Sequence, residues 1–229
     1  MGFLKEKYEL LQKDIDLSTT TLVAVSKTKP ASDILEAYEI GVRDFGENYV
    51  QELVEKQANL PNDIRWHFIG HLQSNKVKYI APFVYLIHGV DSEKLLLEIN
   101  KQGKKINKVI NCLLQIHIAT EETKFGLDEE ELNSIVDKYF SQHSTPLLEY
   151  VNVCGFMGMA SFSENPEQIK TEFSTLRNIF KKYQQHQTPN FKPALLSMGM
   201  SSDYKIALEL GSNMIRIGSM LFGERNYIK

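Results

Sequence analysis

Strict alternation of two kinds of segment is what most constrains this chain. Short runs rich in β-branched, aromatic and leucine residues recur along it, and an amphipathic stretch follows each one. TLVAVS reads as a strand before the helical ASDILEAYEI, GVRDFGE before NYVQELVEKQANL, and RWHFIG before a short helical piece around SNKVKYI. FVYLIHGV leads into DSEKLLLEINKQG, KVINCLLQIHIA into DEEELNSIVDKYFSQH, and LEYVNVCGFMG into NPEQIKTEFSTLRNIFKKYQQH. ALLSMGM precedes SSDYKIALELG, and NMIRIG precedes SMLFGER. A strand that returns through a helix re-enters the sheet parallel to its predecessor, so the alternation predicts an α/β fold with a parallel sheet. Eight such units predict closure into a (β/α)8 TIM-type barrel, with an open doubly wound sheet as the rival. The 229 residues suit a barrel, which takes about 200–250 residues as one domain. Residues 1–229 therefore read as a single domain.

Local signals agree. Asp91 precedes SEKLLLEI and Asp128 precedes EEELNSIV, and Ser, Asp and acidic first turns suit helix starts. QQHQTPNFKP, with Pro189 and Pro193, is the clearest loop. The N-terminal MGFLKEKYELLQKD is charged and helical in pattern, with no apolar signal core. Glu6 breaks the myristoylation pattern that Gly2 would open. Apolar stretches such as APFVYLI are too short to span a bilayer. A net charge of -3 gives no general attraction to nucleic acid or to an anionic membrane. Cys112 and Cys154 fit no metal or redox spacing. A cytoplasmic protein is the expectation.

In a barrel of this kind chemistry collects at the C-terminal ends of the strands. Lys27 directly follows LVAVS, where partial desolvation would favour the neutral amine that attacks a carbonyl. Lys29 lies two residues on and could point the same way, or both lysines could be solvated turn residues. LSMGMSSDYKIALEL runs from a strand through Met200, Ser201 and Ser202 into a helix, and Gly218 with Ser219 follows the last strand. Small residues let backbone amides approach an anion, and barrels often bind phosphate in the loops after strands seven and eight. Ordinary Gly/Ser turns would look the same. Arg216 interrupts the apolar run MIRI, where an unpaired cation is costly, so either a structural carboxylate or a ligand acceptor must meet it. His67 and His71 are four apart, but the stretch begins as a strand and contains Gly70, so no metal site is assigned. No HExxH, GxSxG or P-loop pattern is present.

LVAVSKTKP, RDFGENYVQE, WHFIGHLQSNK, HGVDS, QIHIATEETKFG, GFMGM and LSMGMSSD followed by GSNMIRIGSMLFGER stand in an order and spacing that resemble the pyridoxal phosphate homeostasis proteins, over nearly the whole chain. The resemblance implies a barrel like the N-terminal domain of alanine racemase (fold type III of the pyridoxal 5′-phosphate proteins) without the second β-domain. It implies pyridoxal 5′-phosphate (PLP) as cofactor, joined to Lys27 as an internal aldimine. Ser201 and Gly218 with Ser219 would hold the phosphate, Met200 would be a backbone neighbour of that loop, and Asn48 would lie near the ring. Arg216 would approach the pyridine nitrogen, where a permanent cation disfavours protonation and weakens the ring as an electron sink. His71 and Met157 would be wall residues. ASFSEN follows GFMGM where many relatives carry a proline, which leaves the loop after the sixth strand open.

A PLP racemase needs a second acid or base on the face opposite the lysine. In alanine-racemase-like enzymes another domain, from a partner chain, supplies it. Here GERNYIK follows the last strand and a short helix, and nothing sets Tyr227 over the cofactor. The expected function is therefore PLP holding in intracellular PLP homeostasis, by a monomer without dedicated catalysis that passes PLP to apo PLP-dependent enzymes. A monomeric PLP racemase or related lyase is the alternative. A Schiff-base aldolase for phosphorylated sugars, using Lys27 without PLP, is a more distant one.

Overall fold

The computed structural model describes residues 2–121, 124–141 and 147–223. Helix α1 (Lys5–Asp14) comes first, and then strand and helix alternate: β1 (Thr21–Val25), α2 (Ala31–Glu39), β2 (Asp44–Glu47), α3 (Val50–Asn59), β3 (Arg65–Phe68) and, after a 3-10 turn at Ser74–Lys76, α4 (Val77–Ile80). The second half comprises β4 (Leu86–Val90), α5 (Glu93–Ile106), β5 (Ile110–Gln115), α6 (Glu129–Tyr139), β6 (Val151–Met157), α7 (Pro166–Gln184), β7 (Phe191–Ser197), α8 (Tyr204–Glu209), β8 (Met214–Ile217) and α9 (Ser219–Phe222). The eight strands are parallel and neighbour one another in chain order, and β8 pairs with β1, so the sheet closes into a barrel.

Strand periodicity divides the core into two shells. Leu22 and Ala24 of β1 face the helices with Phe45, Trp66, Phe68 and Ile87 in the large outer core. Val23, Leu86, Leu113, Met157 and Met214 fill the lumen. Each fully buried phenylalanine, such as Phe45 or Phe156, contributes about 2–3 kcal/mol. Trp66, the one tryptophan of the chain, is 2% exposed and lies 6.1 Å from the Phe45 ring.

Caps explain several helix ends. Asp128 opens α6 with a reciprocal capping box to Glu131. Asn165 caps α7 ahead of Pro166, whose missing N–H costs nothing in the first turn. At α5 the cap is Ser92, whose hydroxyl accepts from Leu95 N, while Asp91 is turned toward His71. Two strands are shorter than their apolar runs. Gly41 (φ 100°) and Arg43, which donates to the carbonyls of Tyr38 and Val42, make a turn of the residues before Asp44. Ile116 N still donates to Met157 O, after which the chain leaves the sheet and His117 N donates to Leu127 O.

Candidate functional site

All seven residues singled out as cofactor ligands, Lys27, Asn48, Met200, Ser201, Arg216, Gly218 and Ser219, line one cleft of about 420 Å³ at the C-terminal rim of the barrel. Lys29, Ser202, Val25, Ile69, Met159 and Phe162 complete most of its wall. Pockets of roughly 300–1,000 Å³ suit small organic ligands.

The Lys27 loop is held from behind. β1 ends at Val25, and the turn Ser26–Lys29 closes with Lys29 N donating to Ser26 O at 3.0 Å. Thr28 has φ 65°, a left-handed conformation that a β-branched residue adopts only under constraint. The constraint comes from three residues of β2 and α3. Thr28 N donates to Glu52 Oε1 at 2.6 Å. Lys56 Nζ donates to Ser26 O, Glu47 Oε1 and Glu52 Oε1 at 2.7–2.8 Å. Ser26 Oγ donates to Glu47 Oε1 at 2.6 Å. Glu47 is fully buried, and desolvation pushes its carboxyl up to about 7 against the pull of Lys56. Its Oε2 has no hydrogen-bond partner among the described residues. Lys29 Nζ reaches across the cleft mouth to Phe222 O, at 2.5 Å, which ties this loop to α9.

Arg216 is 4% exposed. Nη1 donates to Ser197 O (2.9 Å) and Ser197 Oγ (2.6 Å), and Nη2 to Gly158 O (3.1 Å). No carboxylate among the described residues forms an ion pair with it. Burial pulls it down to about 10, so it stays a cation at neutral pH; Asp203 opposes the pull through space. The carboxylate alternative has no ion pair among the described residues: neutral oxygens take three of the five N–H vectors, and Arg216 also lines the cleft.

The loops after β7 and β8 add hydroxyls and amides to the lining. Gly199 has φ 97°, and a Cβ there would lie 2.6 Å from Ala207 Cβ, so only glycine lets the strand turn so sharply. Met200 N is engaged within the turn by Asp203 Oδ1 at 2.6 Å. Gly218 N donates to Ser201 Oγ at 3.4 Å, which joins the two loops. Among the described residues the amides of Ser201, Ser202 and Ser219 donate to no protein acceptor. Unmet amides and hydroxyls suit a phosphate, and the cationic lining adds a favourable field. A primary amine in the same lining suits an aldehyde. The donor set thus fits a phosphorylated aldehyde.

Two sequence-level assignments fall outside the cleft. His71 sits on the exposed rim, bonded to Asp91 Oδ2 at 2.9 Å and stacked on Phe125 at 4.3 Å. Met157 points into the lumen, and Met159 lines the cleft in its place. Tyr227 lies outside the described residues. Glu47, Glu52 and Lys56 were not singled out in sequence. The available signals were the charged i,i+4 pair in QELVEK and a glutamate closing a strand, and both look like ordinary surface chemistry.

The family model for the alanine racemase N-terminal domain matches residues 2–226. A pyridoxal phosphate homeostasis protein of Aquifex aeolicus is 41% identical over 207 residues, 90% of this chain and 87% of the relative. This chain belongs to the pyridoxal phosphate homeostasis protein family. PipY of Synechococcus elongatus PCC7942, 34% identical, has been solved without PLP (TM-score 0.86) and with PLP bound (TM-score 0.83), with 95% of this chain and 99% of PipY covered in both. An alanine racemase of Clostridium difficile 630, at 14% identity and TM-score 0.78, shares the fold over 98% of this chain and 57% of its own. The shared barrel is that of the alanine racemase N-terminal domain, as the sequence motifs led us to expect.

Proposed function

We propose that the cleft binds pyridoxal 5′-phosphate, with Lys27 as its covalent anchor, and that the protein serves PLP homeostasis by holding and releasing it. The carrying observation is the convergence of Lys27, Arg216 and the amide-rich Ser201 and Ser219 loops on one cleft of ligand size. The PLP-bound PipY structure and the names of the curated relatives support the reading. When bound, PLP supplies an aldehyde that condenses with a primary amine with loss of one water. Lys27 provides the amine. The Glu47–Lys56–Glu52 clamp keeps its loop in one conformation. Ser201, Ser219 and the nearby amides hold the phosphate, with Gly218 letting the backbone approach. Arg216 is assigned to the ring nitrogen, where its charge disfavours a proton. Asn48 and Ile69 limit the ring's lateral freedom.

The holding role follows the names of the curated relatives. Among the described residues that line the cleft, Lys27 is one amine able to move a proton. Lys29 is the other titratable amine, and it is hydrogen bonded to Phe222 O. No helix among the described residues is long and apolar enough to cross a membrane. A cytoplasmic monomer that hands PLP to apo enzymes completes the proposal.

Borohydride reduction of the PLP-loaded protein, followed by peptide mass analysis, should place a pyridoxyl group on Lys27, and Lys27→Ala should abolish it. Retention of PLP by Lys27→Ala equal to wild type would overturn the anchor. Robust racemisation or transamination across a panel of amino acids would overturn the holding role.

A further inference from the structure

A line of buried polar groups crosses the barrel behind the cleft. Asp44 opens β2 beside the solvent-facing Arg65, which donates to it through Nε (2.7 Å) and Nη2 (2.5 Å). Asp44 Oδ1 meets His67 Nε2 at 3.0 Å. His67 Nδ1 meets His88 Nε2 at 2.9 Å, and His88 Nδ1 meets Ser197 Oγ at 3.2 Å. Ser197 Oγ in turn lies 2.6 Å from Arg216 Nη1. Both histidines and Ser197 are fully buried.

Donor arithmetic sets the direction of every link. A guanidinium only donates, so Ser197 must turn a lone pair to Arg216. Desolvation lowers both imidazoles, most strongly His88, so both are neutral. Burial pushes the Asp44 carboxyl up, but hydrogen bonds from Arg65 and His67 outweigh it and leave the carboxyl below its usual range, hence ionised. An ionised Asp44 only accepts, so a neutral His67 donates to it from Nε2 and accepts at Nδ1 from His88 Nε2–H, which leaves His88 Nδ1 to accept the single proton of Ser197. The chain thus starts at a buried cation and ends at a carboxylate, with no link reversed.

We propose that Asp44, His67, His88 and Ser197 are positioning residues: a one-way donor chain through the lumen that fixes Arg216 as the cation of the cleft floor. Polarised hydrogen bonds in series strengthen one another in a low-dielectric interior. The chain lets an anion across the barrel stabilise Arg216 without a carboxylate in the cleft itself. Its effect on PLP rests on the reading of the cleft above; its proton pattern does not.

The test has two arms on the full-length protein. Nitrogen-15 imidazole NMR of the ligand-free protein should show His67 and His88 as neutral Nε2–H tautomers. An Nδ1–H tautomer or an imidazolium at either position overturns the chain. For the loaded protein, the visible absorbance band and the rate of PLP loss on dilution into ligand-free buffer are compared among variants. His88→Met and Ser197→Ala should shift the band and release PLP on the order of tenfold faster, the scale of one buried hydrogen bond to a charged group. His88→Gln, with one acceptor and one donor, should recover most of the loss. Ser197→Ala removes a single atom and carries the arm if His88→Met does not fold. Unchanged release in Ser197→Ala, or equal loss in His88→Gln and His88→Met, marks a packing role and overturns the proposal. If wild type takes up no PLP, the cleft reading fails, and the tautomers still decide the chain.

Discussion

Arg216 and Glu47 are both buried charges, and they are handled in opposite ways. Arg216 is surrounded by neutral oxygens, so Arg216→Met should leave Gly158 O without its donor and Ser197 O with the Gly158 N donor alone. We expect a loss of about 1–3 kcal/mol in urea unfolding, together with a shifted absorbance band of bound PLP. Glu47 has a folded-state value of about 7, above the 4.5 of an ordinary glutamate. Such a group contributes stability that is complete below about 4.5 and lost as pH rises through 7. Glu47→Gln does not titrate, so its stability relative to wild type should rise between those limits, by up to about 3 kcal/mol. Unfolding curves at pH 5 and pH 8 read this directly; a gap independent of pH would refute it. Lys27, Ser201, Arg216 and Ser219 are legible in sequence because each stands at or beside a strand's C-terminal end, where the fold collects chemistry. The Glu47–Lys56 pair is not, since its meaning depends on which loop α3 packs against. Met157 is a wall residue by the family resemblance alone, and the letters do not correct it: the register shifts around Gly155, so the inward and outward parity of β6 cannot be counted from sequence.

At the scale of elements, α3 acts as a brace for the loop after β1. Its Lys56 holds the Ser26 carbonyl, and its Glu52 holds the Thr28 amide. Lys56→Met keeps the aliphatic packing and removes the donors. It should accelerate PLP loss on dilution by about tenfold, with α3 itself preserved by circular dichroism. α6 is held by its capping box, so Asp128→Ala should cost about 1 kcal/mol in urea unfolding and leave PLP retention unchanged. The alternation of eight strands and helices was readable because period-2 and period-3.6 patterns differ plainly in long segments. The trimming of β2 and β5 was not, because a turn glycine decides where β2 begins and a neighbouring carbonyl where β5 ends, rather than hydrophobicity.

For the whole molecule, closure of β8 on β1 places the first and last strands side by side, so the cleft is built from residues almost the full chain apart, Lys27 and Ser219 among them. A ligand bound there can form only in the closed barrel and should stabilise it by mass action. At PLP a hundredfold above its dissociation constant, the unfolding free energy should rise by about 2.7 kcal/mol, and Lys27→Ala should show much less of this rise. The outer core supplies a way to watch it happen. Because Trp66 is unique, tryptophan emission, excited at wavelengths the tyrosines do not absorb, has one interior origin in this chain, set in the same barrel whose mouth would hold a coloured, light-absorbing guest. Loading and unloading should therefore be visible as dimming and recovery of that glow, with no label attached.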